Sequence, residues 1–267
     1  MSRRLVIAAM LLLVAVPAAQ AQVASPATGA PTDATTPTAQ QKVVLPLTGR
    51  TVVIDPGHNG GNTSNHAITQ RQVWAGTIWK DCDADGASTD SGYSESQHNW
   101  DVAVVVRQLL RQQGARVVMT RASNAGVGPC ITQRAALGNR VRADAAVSIH
   151  ADGHNNGDFH GFHVILPADV GQGSRMVARS RELGIAVRNA LRDQGPTQTS
   201  NYIGENGLIV RNDLGGLNLS KVPKIFTEIG NMHSPLDAPE IESVAGRQAE
   251  AAAIAAGITR FLTKRRA

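Results

Sequence analysis

The chain has 267 residues, two cysteines and a formal net charge of +5. Its basic residues are scattered and form no dense stripe with aromatic side chains, which argues against nucleic acid as a partner. A modest positive charge suits an anionic surface such as a cell wall without requiring one.

The first 21 residues have the three parts of a secretory signal peptide. Arg3 and Arg4 give a basic start, residues 5–16 are an apolar run, and Ala19-Gln20-Ala21 is a small-residue cleavage site. The run is shorter than the roughly 20 helical residues that cross a bilayer, which argues against a retained membrane anchor. We therefore expect export to the periplasm, cell wall or exterior, by the general or the twin-arginine route. Removal of the two arginines leaves a net charge of about +3.

Residues 22–44 are rich in alanine, proline and threonine and contain few large apolar side chains. Such a stretch buries too little surface to offset its ordering entropy, so we expect a flexible linker. No internal repeat or second change of composition follows. Residues 45–267 are therefore expected to form one domain, large enough to bury a sizeable core, with a monomer as the default state.

Within this domain, short β-rich runs alternate with helical patterns. Strands are predicted at residues 51–55, 116–120, 145–149, 161–166 and 223–227. Helices are predicted at residues 95–113, 131–141, 174–192 and 237–262. The first helix has Ser94 as its N-cap and Gly114 at its end. This alternation predicts an α/β domain with a mainly parallel central sheet, in which functional residues gather beyond the carboxyl ends of the strands.

Polar side chains with the chemistry of metal ligands follow three of these strands. His58 comes shortly after the first predicted strand, and His150 and Glu228 directly follow the third and the fifth. Glu95 lies in the first turn of the first helix. Because helix N-termini and the carboxyl ends of parallel strands share one edge of a sheet, we expect all four side chains to converge.

Two imidazoles and one carboxylate are a ligand set that zinc favours in hydrolytic sites, with a fourth position open for water. Zinc lowers the pKa of that water toward about 7, and a carboxylate outside the ligand set can move its proton. The four candidate side chains are therefore enough for three zinc ligands and one general base. A single histidine is more often structural than ligating, and no compact H-E-x-x-H motif is present. The site is thus predicted from the joint position of these residues at strand ends.

The two cysteines, Cys82 and Cys130, suggest a covalent constraint. An even number of cysteines in an exported chain favours a disulfide, which here would close a long loop worth roughly 4 kcal/mol in the chain-entropy model. The alternative is a thiol nucleophile or a metal ligand, which the expected compartment disfavours.

Four ordered segments resemble the zinc-dependent N-acetylmuramoyl-L-alanine amidases. They are Val53–Gly60, then Gly92–Asn99, then Arg134, Asn139, Ala143-Asp144 and Ser148–Asp152, and finally Pro223–Asn231. Any one segment alone would be weak, but the ordered set is specific. The resemblance extends from about residue 51 to residue 261.

The resemblance implies a single domain with a mixed, largely parallel sheet flanked by helices, so residues 45–267 would be a zinc amidase catalytic domain. It implies hydrolysis of the amide bond between N-acetylmuramic acid and L-alanine of peptidoglycan stem peptides. His58, Glu95 and His150 would bind one Zn²⁺ per chain. Glu228 would act as general base and then general acid, with zinc-bound water as the nucleophile.

The stretch from residue 59 to residue 91 departs from the shorter members of that family. It contains Trp74, Trp79 and Cys82. A disulfide from Cys82 to Cys130 would hold it near the site as a flap that contacts substrate, or it is a plain surface insertion.

Four further polar residues each have two interpretations. Asp55 and Asp152 adjoin the ligand histidines and either fix the imidazoles or close local turns. Asn231 either orients Glu228 or contacts substrate. Arg211 either pairs with a stem-peptide carboxylate or is a solvated surface residue.

Two other functions stay open. A zinc carboxypeptidase acting on small cell-wall peptides would use the same metal chemistry, and only the four-segment resemblance argues against it. A catalytically inactive wall-binding module would be expected to lack a ligand or Glu228, and all four residues are present. No separate wall-binding repeats occur in the sequence, so the catalytic groove itself would recognise peptidoglycan or muramyl-peptide fragments.

Overall fold

The structure is a computed structural model that describes residues 44–264. The predicted signal peptide (residues 1–21), the predicted linker (residues 22–44) except its last residue, and residues 265–267 lie outside the described residues. Across residues 44–264, no helix combines the length and apolar character needed to span a bilayer.

Strands and helices alternate along most of the described chain. The strands are β1 (Thr51–Pro56), β2 (Gln72–Trp74), β3 (Trp79–Asp81), β4 (Arg116–Met119), β5 (Ala145–Asp152), β6 (His163–Pro167), β7 (Leu208–Arg211) and β8 (Lys224–Asn231). The helices are α1 (His66–Thr69), α2 (Glu95–Gln112), α3 (Ile131–Arg140), α4 (Ser174–Gln194), α5 (Gly215–Asn218), α6 (Ala238–Glu242) and α7 (Val244–Thr263).

Six strands form one sheet in the order β4-β1-β5-β8-β6-β7, and β2 pairs with β3 in a separate antiparallel hairpin. Neighbours in the large sheet are parallel except β8 and β6, which are antiparallel. The predicted fold, a mixed and largely parallel sheet flanked by helices, is thus confirmed. The carboxyl ends of β1, β5 and β8 meet at one edge of this sheet.

The two faces of the sheet have different partners because successive strand residues point to opposite sides. On one face, Val52, Ile54 and Val147 pack in the main apolar core, where α7 contacts both α2 and α4. The other face carries a smaller apolar cluster of Val53, Ala143, Ala146 and Val222. By alternation, Asp55 and His150 project on this second face, toward the carboxyl edge.

Besides the short helices α1 and α5, which were not predicted, the structure differs from the sequence-based prediction in three main ways. The predicted helix 237–262 is two helices, because Ser243 is extended (ψ 146°) and its hydroxyl caps α7 by accepting from Gly246 N at 2.8 Å. The hairpin and β7 were not predicted, since runs of three or four residues show little periodicity. Finally, β5 and β8 extend past the predicted ends, so His150 and Glu228 lie within strands.

Candidate metal centre

Three side chains of the predicted ligand set meet at the carboxyl edge of the sheet. His58 follows β1, His150 lies in β5, and Glu95 is the first residue of α2. One ligand atom from each lies within 4.8 Å of the other two. Glu95 Oε1 is 3.2 Å from His58 Nε2 and 2.9 Å from His150 Nδ1. Segments far apart in the chain therefore bring two ring nitrogens and one carboxylate to a common point.

This spacing fits a tetrahedral zinc ion. With metal–ligand distances of about 2.0–2.2 Å, neighbouring ligand atoms lie roughly 3.3 Å apart. Burial lowers the pKa of His150, which favours the neutral imidazole that binds metal. Burial opposes ionisation of Glu95, but the two histidines hold its pKa well below its ordinary value. Burial opposes protonation of His58, but the carboxylates of Glu95 and Asp83 outweigh burial and raise the pKa of His58 well above its ordinary value. These carboxylates therefore attract positive charge to the site.

The ring of His58 is held by a strained backbone and three neighbours. Its φ of +56° is a left-handed conformation that residues other than glycine rarely adopt. Arg134 donates to the carbonyl oxygens of His58 at 2.9 Å and Pro56 at 2.7 Å. His58 Nδ1 donates to the carbonyl oxygen of Ala84 at 2.9 Å, and Asp83 Oδ1 lies 3.4 Å from the same nitrogen. Such contacts fix the ring of His58 with its Nε2 toward Glu95 and His150.

Glu95 is positioned by the N-terminus of α2. The hydroxyl of Ser94 accepts a hydrogen bond from Gln97 N at 3.3 Å and so caps the helix. Glu95 Oε2 accepts from Ala87 N at 2.9 Å, and Oε1 accepts from Ala151 N at 3.3 Å. The helix dipole also favours a carboxylate in this first turn. These contacts orient the carboxylate toward both histidines.

Two glycines leave space for the ligands. A Cβ atom at Gly57 would lie 2.1 Å from His150 Cε1. Gly86 has a φ of +83°, and a Cβ atom there would lie 3.0 Å from both Glu95 Oε2 and His58 Cδ2. A larger residue at Gly57 would displace the His150 ring, and one at Gly86 would also strain the backbone.

Glu228 lies on β8, the strand next to β5, beside the three residues His58, Glu95 and His150, which we call the triad. In the parallel register of β5 and β8 it is directly opposite His150. Together with His58 and Asp152, these two residues line a polar cavity of about 650 Å³. Burial, with the negative charges of Glu95 and Asp152, raises the pKa of Glu228 well above its ordinary value. A carboxyl group with a raised pKa is suited to accept and donate a proton during a reaction.

Asp55 lies on β1 in a buried network. Its carboxylate accepts hydrogen bonds from Arg134 at 2.9 Å, Lys224 at 2.9 Å, Thr120 at 2.6 Å and Ser148 at 2.6 Å. Burial opposes its ionisation, but the two cations and the hydroxyl donors hold its pKa well below the ordinary value. Asp55 is therefore connected to His58 through Arg134.

Asp152 and Asn231 fix the loop that follows β5. Asp152 accepts from the hydroxyl of Tyr202 at 2.7 Å. Asn231 is buried, and its side chain accepts from His154 N and donates to the carbonyl oxygen of Phe159, both at 2.9 Å. Asp152, which lines the polar cavity, is thus tied to Tyr202, and Asn231 holds the loop that contains His154 and Phe159.

Arg211 has a carboxylate partner within the chain. Its guanidinium donates to both oxygens of Asp213, at 2.8 and 2.6 Å. Lys80 of the hairpin approaches the same carboxylate at 3.4 Å. The three charges join the hairpin to the end of β7.

The predicted disulfide between Cys82 and Cys130 is confirmed. It joins the residue after β3 to the N-cap of α3, and both cysteines are buried. Neither sulfur is therefore available as a nucleophile or a metal ligand. The bond ties the stretch 59–91 to the helix that carries Arg134.

Two residues that support the site have no assigned role in the sequence analysis. Asp83 alternates along the chain with Asp81 and Asp85, and nothing in that pattern shows which of the three is buried. Arg134 belongs to a family segment, but its contacts with Asp83 and with backbone carbonyls become visible only in the fold. The strand that precedes Asp83 was not predicted, so no sequence signal singled this residue out.

Comparisons with known proteins show the family of this chain. A family model described as N-acetylmuramoyl-L-alanine amidase matches residues 52–260. The N-acetylmuramoyl-L-alanine amidase Rv3717 of Mycobacterium tuberculosis is 39% identical over 217 residues, which cover 81% of this chain and 88% of that protein. The probable cell wall amidase LytH of Staphylococcus aureus is 27% identical over 216 residues, which cover 80% of this chain and 58% of LytH.

A solved structure gives the same result. The N-acetylmuramyl-L-alanine amidase Ami1 of Mycobacterium smegmatis superposes with a TM-score of 0.76 at 37% identity, covering 82% of this chain and 99% of Ami1. The family match spans β1 to α7 and so includes the triad and Glu228. The chain therefore belongs to the N-acetylmuramoyl-L-alanine amidase family and is an amidase of that class.

Proposed function

We propose that this amidase uses zinc to hydrolyse the bond between N-acetylmuramic acid and L-alanine of peptidoglycan stem peptides. The observation that carries the proposal is the meeting of His58, Glu95 and His150 beside Glu228 at one edge of the sheet. The first three residues would hold one Zn²⁺ per chain. The names of Rv3717 and Ami1 as amidases of this bond support the choice of substrate.

Zinc in this site would act as a Lewis acid toward the amide carbonyl and lower the pKa of a bound water toward about 7. Glu228 would move the protons. It takes a proton from the attacking water as the water oxygen bonds to the carbonyl carbon. It then gives this proton to the nitrogen of L-alanine as the C–N bond breaks. The products are the lactyl carboxylate on the sugar and a stem peptide with a free amine.

The proposal includes the maturation of the chain. Residues 1–21 would be removed on export, residues 22–44 would act as a linker, and residues 45–267 would form the catalytic domain in the periplasm or cell wall. Mass spectrometry of exported protein should find Gln22 at its N-terminus. Size-exclusion chromatography with light scattering should give the mass of one chain.

The role of Glu228 is tested by a Glu228→Ala variant. It should retain about one zinc per chain by elemental analysis and lose activity by orders of magnitude, because the proton transfer is removed. Glu240→Ala, an exposed glutamate on α6, is the matched control and should behave like wild type. Near wild-type cleavage by Glu228→Ala would show that another group moves the proton.

The substrate bond is tested by mass spectrometry of the products of muramyl pentapeptide cleavage. Release of a free peptide that begins with L-alanine is the expected result. Loss of only the terminal D-alanine would instead identify a carboxypeptidase. The same reaction with a chelator should stop, and added zinc should restore it.

A further inference from the structure

A second cavity opens beside His58 and His150 of the same triad, and Glu228 does not line it. Its volume of about 470 Å³ lies within the range of about 300–1,000 Å³ that is typical of ligand clefts. His58 and His150 line one end of it, and Ile78 and Trp79 of the hairpin line another part. Its remaining apolar surface comes from Ile131, Leu214, Gly215, Gly216 and Phe226. We call this cavity the hairpin groove.

The wall of the hairpin groove is apolar and uncovered. Trp79 is 65% exposed and Ile78 is 44% exposed. Large apolar side chains that adjoin each other and a catalytic cavity mark a surface on which a ligand can pack. Trp74 meets Trp79 edge-on at 5.7 Å between ring centroids but does not line the groove.

The hairpin is held in place, so this wall is preformed. The Cys82–Cys130 disulfide fixes its carboxyl end to α3. Asn218 Nδ2 donates to the carbonyl oxygen of Ala75 at 2.9 Å, and Thr77 Oγ1 donates to that of Asn212 at 2.6 Å. A preformed wall binds a ligand without the cost of ordering a loop.

The charges of the hairpin groove do not suit the stem peptide. Arg134 is paired with Asp55 and Asp83, and Lys80 is paired with Asp213. Within residues 44–264, the one arginine and the one lysine that line the groove thus already have carboxylate partners. A stem peptide carries carboxylates that need cations. The N-acetylmuramic acid half carries no charge, because its one carboxyl group forms the scissile amide.

The position of Glu228 also favours the N-acetylmuramic acid half, and not the stem peptide, as the occupant of the hairpin groove. In the proposed reaction Glu228 gives its proton to the amine of L-alanine, so the peptide half must lie on the Glu228 side of the triad. Glu228 lines the polar cavity and not the hairpin groove. The acyl half, which carries the sugar, must then extend from the triad in the other direction.

We propose that the hairpin groove binds the N-acetylmuramic acid half of the substrate, with the C–H face of the sugar ring packed on the indole of Trp79. This proposal rests on the proposed function, because it takes the scissile bond and the role of Glu228 from it. It assigns substrate recognition to a hairpin that supplies no metal ligand and no proton.

The test compares two substrates that share one peptide. The first is N-acetylmuramoyl-L-alanyl-D-isoglutamine, and the second is the same dipeptide acylated by D-lactic acid alone. Release of L-alanyl-D-isoglutamine is followed by liquid chromatography and mass spectrometry to give kcat/KM for each. Wild type should favour the sugar-bearing substrate by about tenfold or more, the value of one aromatic contact.

Trp79→Ala should lower kcat/KM for the sugar-bearing substrate by about tenfold and leave the lactyl substrate within about twofold, so that selectivity disappears. Trp79→Phe should restore most of the selectivity, since it keeps an aromatic face. Trp74→Ala is the matched control on the same hairpin and should keep the wild-type ratio.

Three results would overturn the proposal. Equal losses of kcat/KM on both substrates in Trp79→Ala would show that Trp79 contacts the peptide half or only supports the structure. Unchanged rates on both would show that Trp79 does not contact substrate. Failure of wild type to cleave either substrate would overturn the proposed function, and this proposal with it.

Discussion

The Cys82–Cys130 disulfide offers a quantitative test of what stabilises this domain. The two residues are 48 positions apart, and the loop between them contains α2 and β4. In the chain-entropy model, closing a loop of this length restricts the unfolded chain by about 4 kcal/mol at 25 °C. Replacing both cysteines by alanine should therefore lower the free energy of unfolding by about 4 kcal/mol. For a domain of this size, this corresponds to a fall in Tm of roughly 8–16 °C.

The assay is equilibrium unfolding in urea, followed by far-UV circular dichroism. Because the bond acts mainly on the unfolded chain, the m-value should rise in the variant, whose unfolded state exposes more surface. Cys82→Ala alone breaks the same bond but keeps one sulfur. It should agree with the double variant within about 1 kcal/mol, since little packing separates the two.

A double variant within about 1 kcal/mol of wild type, with an unchanged m-value, would refute this reasoning. It would mean that the unfolded chain already holds the two segments together, or that the bond strains the folded state by a similar amount. A loss that appears in the double variant but not in Cys82→Ala would assign the effect to packing of the sulfurs.

Other perturbations have equally defined outcomes. Asp55→Asn leaves the buried charge of Lys224 without its partner and should cost about 3–5 kcal/mol in urea unfolding, and Lys224→Met in the same chain should recover part of this loss. In wild type, burial opposes ionisation of Asp55, but Lys224 and Arg134 lower its pKa on folding. Its contribution to stability is therefore complete above about pH 5 and is lost as the pH falls through about 4 toward the lowered pKa. Acid titration of unfolding should show this loss in wild type but not in Asp55→Asn. Gly57→Ala places a Cβ atom 2.1 Å from His150 Cε1, so elemental analysis should find less than one zinc per chain while the circular dichroism spectrum stays unchanged. Added zinc should raise the Tm of metal-free wild type by mass action, and of Gly57→Ala much less.

The sheet and the place of the site could be predicted because both follow from local patterns and one rule of topology. Strand and helix periodicities alternate along the chain, and residues at carboxyl strand ends share an edge. His58 and His150 were placed together on that basis, although the structure shows His150 inside β5. The expected compartment favoured a disulfide over free thiols, and two cysteines then allow only one pairing.

Other features depend on contacts that no local pattern encodes. The direction of β6 is one example, because the alternation of apolar residues is the same in parallel and antiparallel strands. The burial of Asp83 is another, since it depends on Arg134, which comes from a distant helix. The break at Ser243 was missed because Ile241, Val244 and Ala245 keep an apolar spacing typical of a helix across it, and the alanine-rich stretch follows directly.

The left-handed backbone at His58 has a consequence for how this amidase comes into being. Arg134 on α3 holds that conformation, so His58 has its orientation only when α3 is packed beside β1. The other two ligands depend in turn on α2 and on β5. A chain in which α2, α3 or β5 is not yet in place therefore lacks the assembled triad.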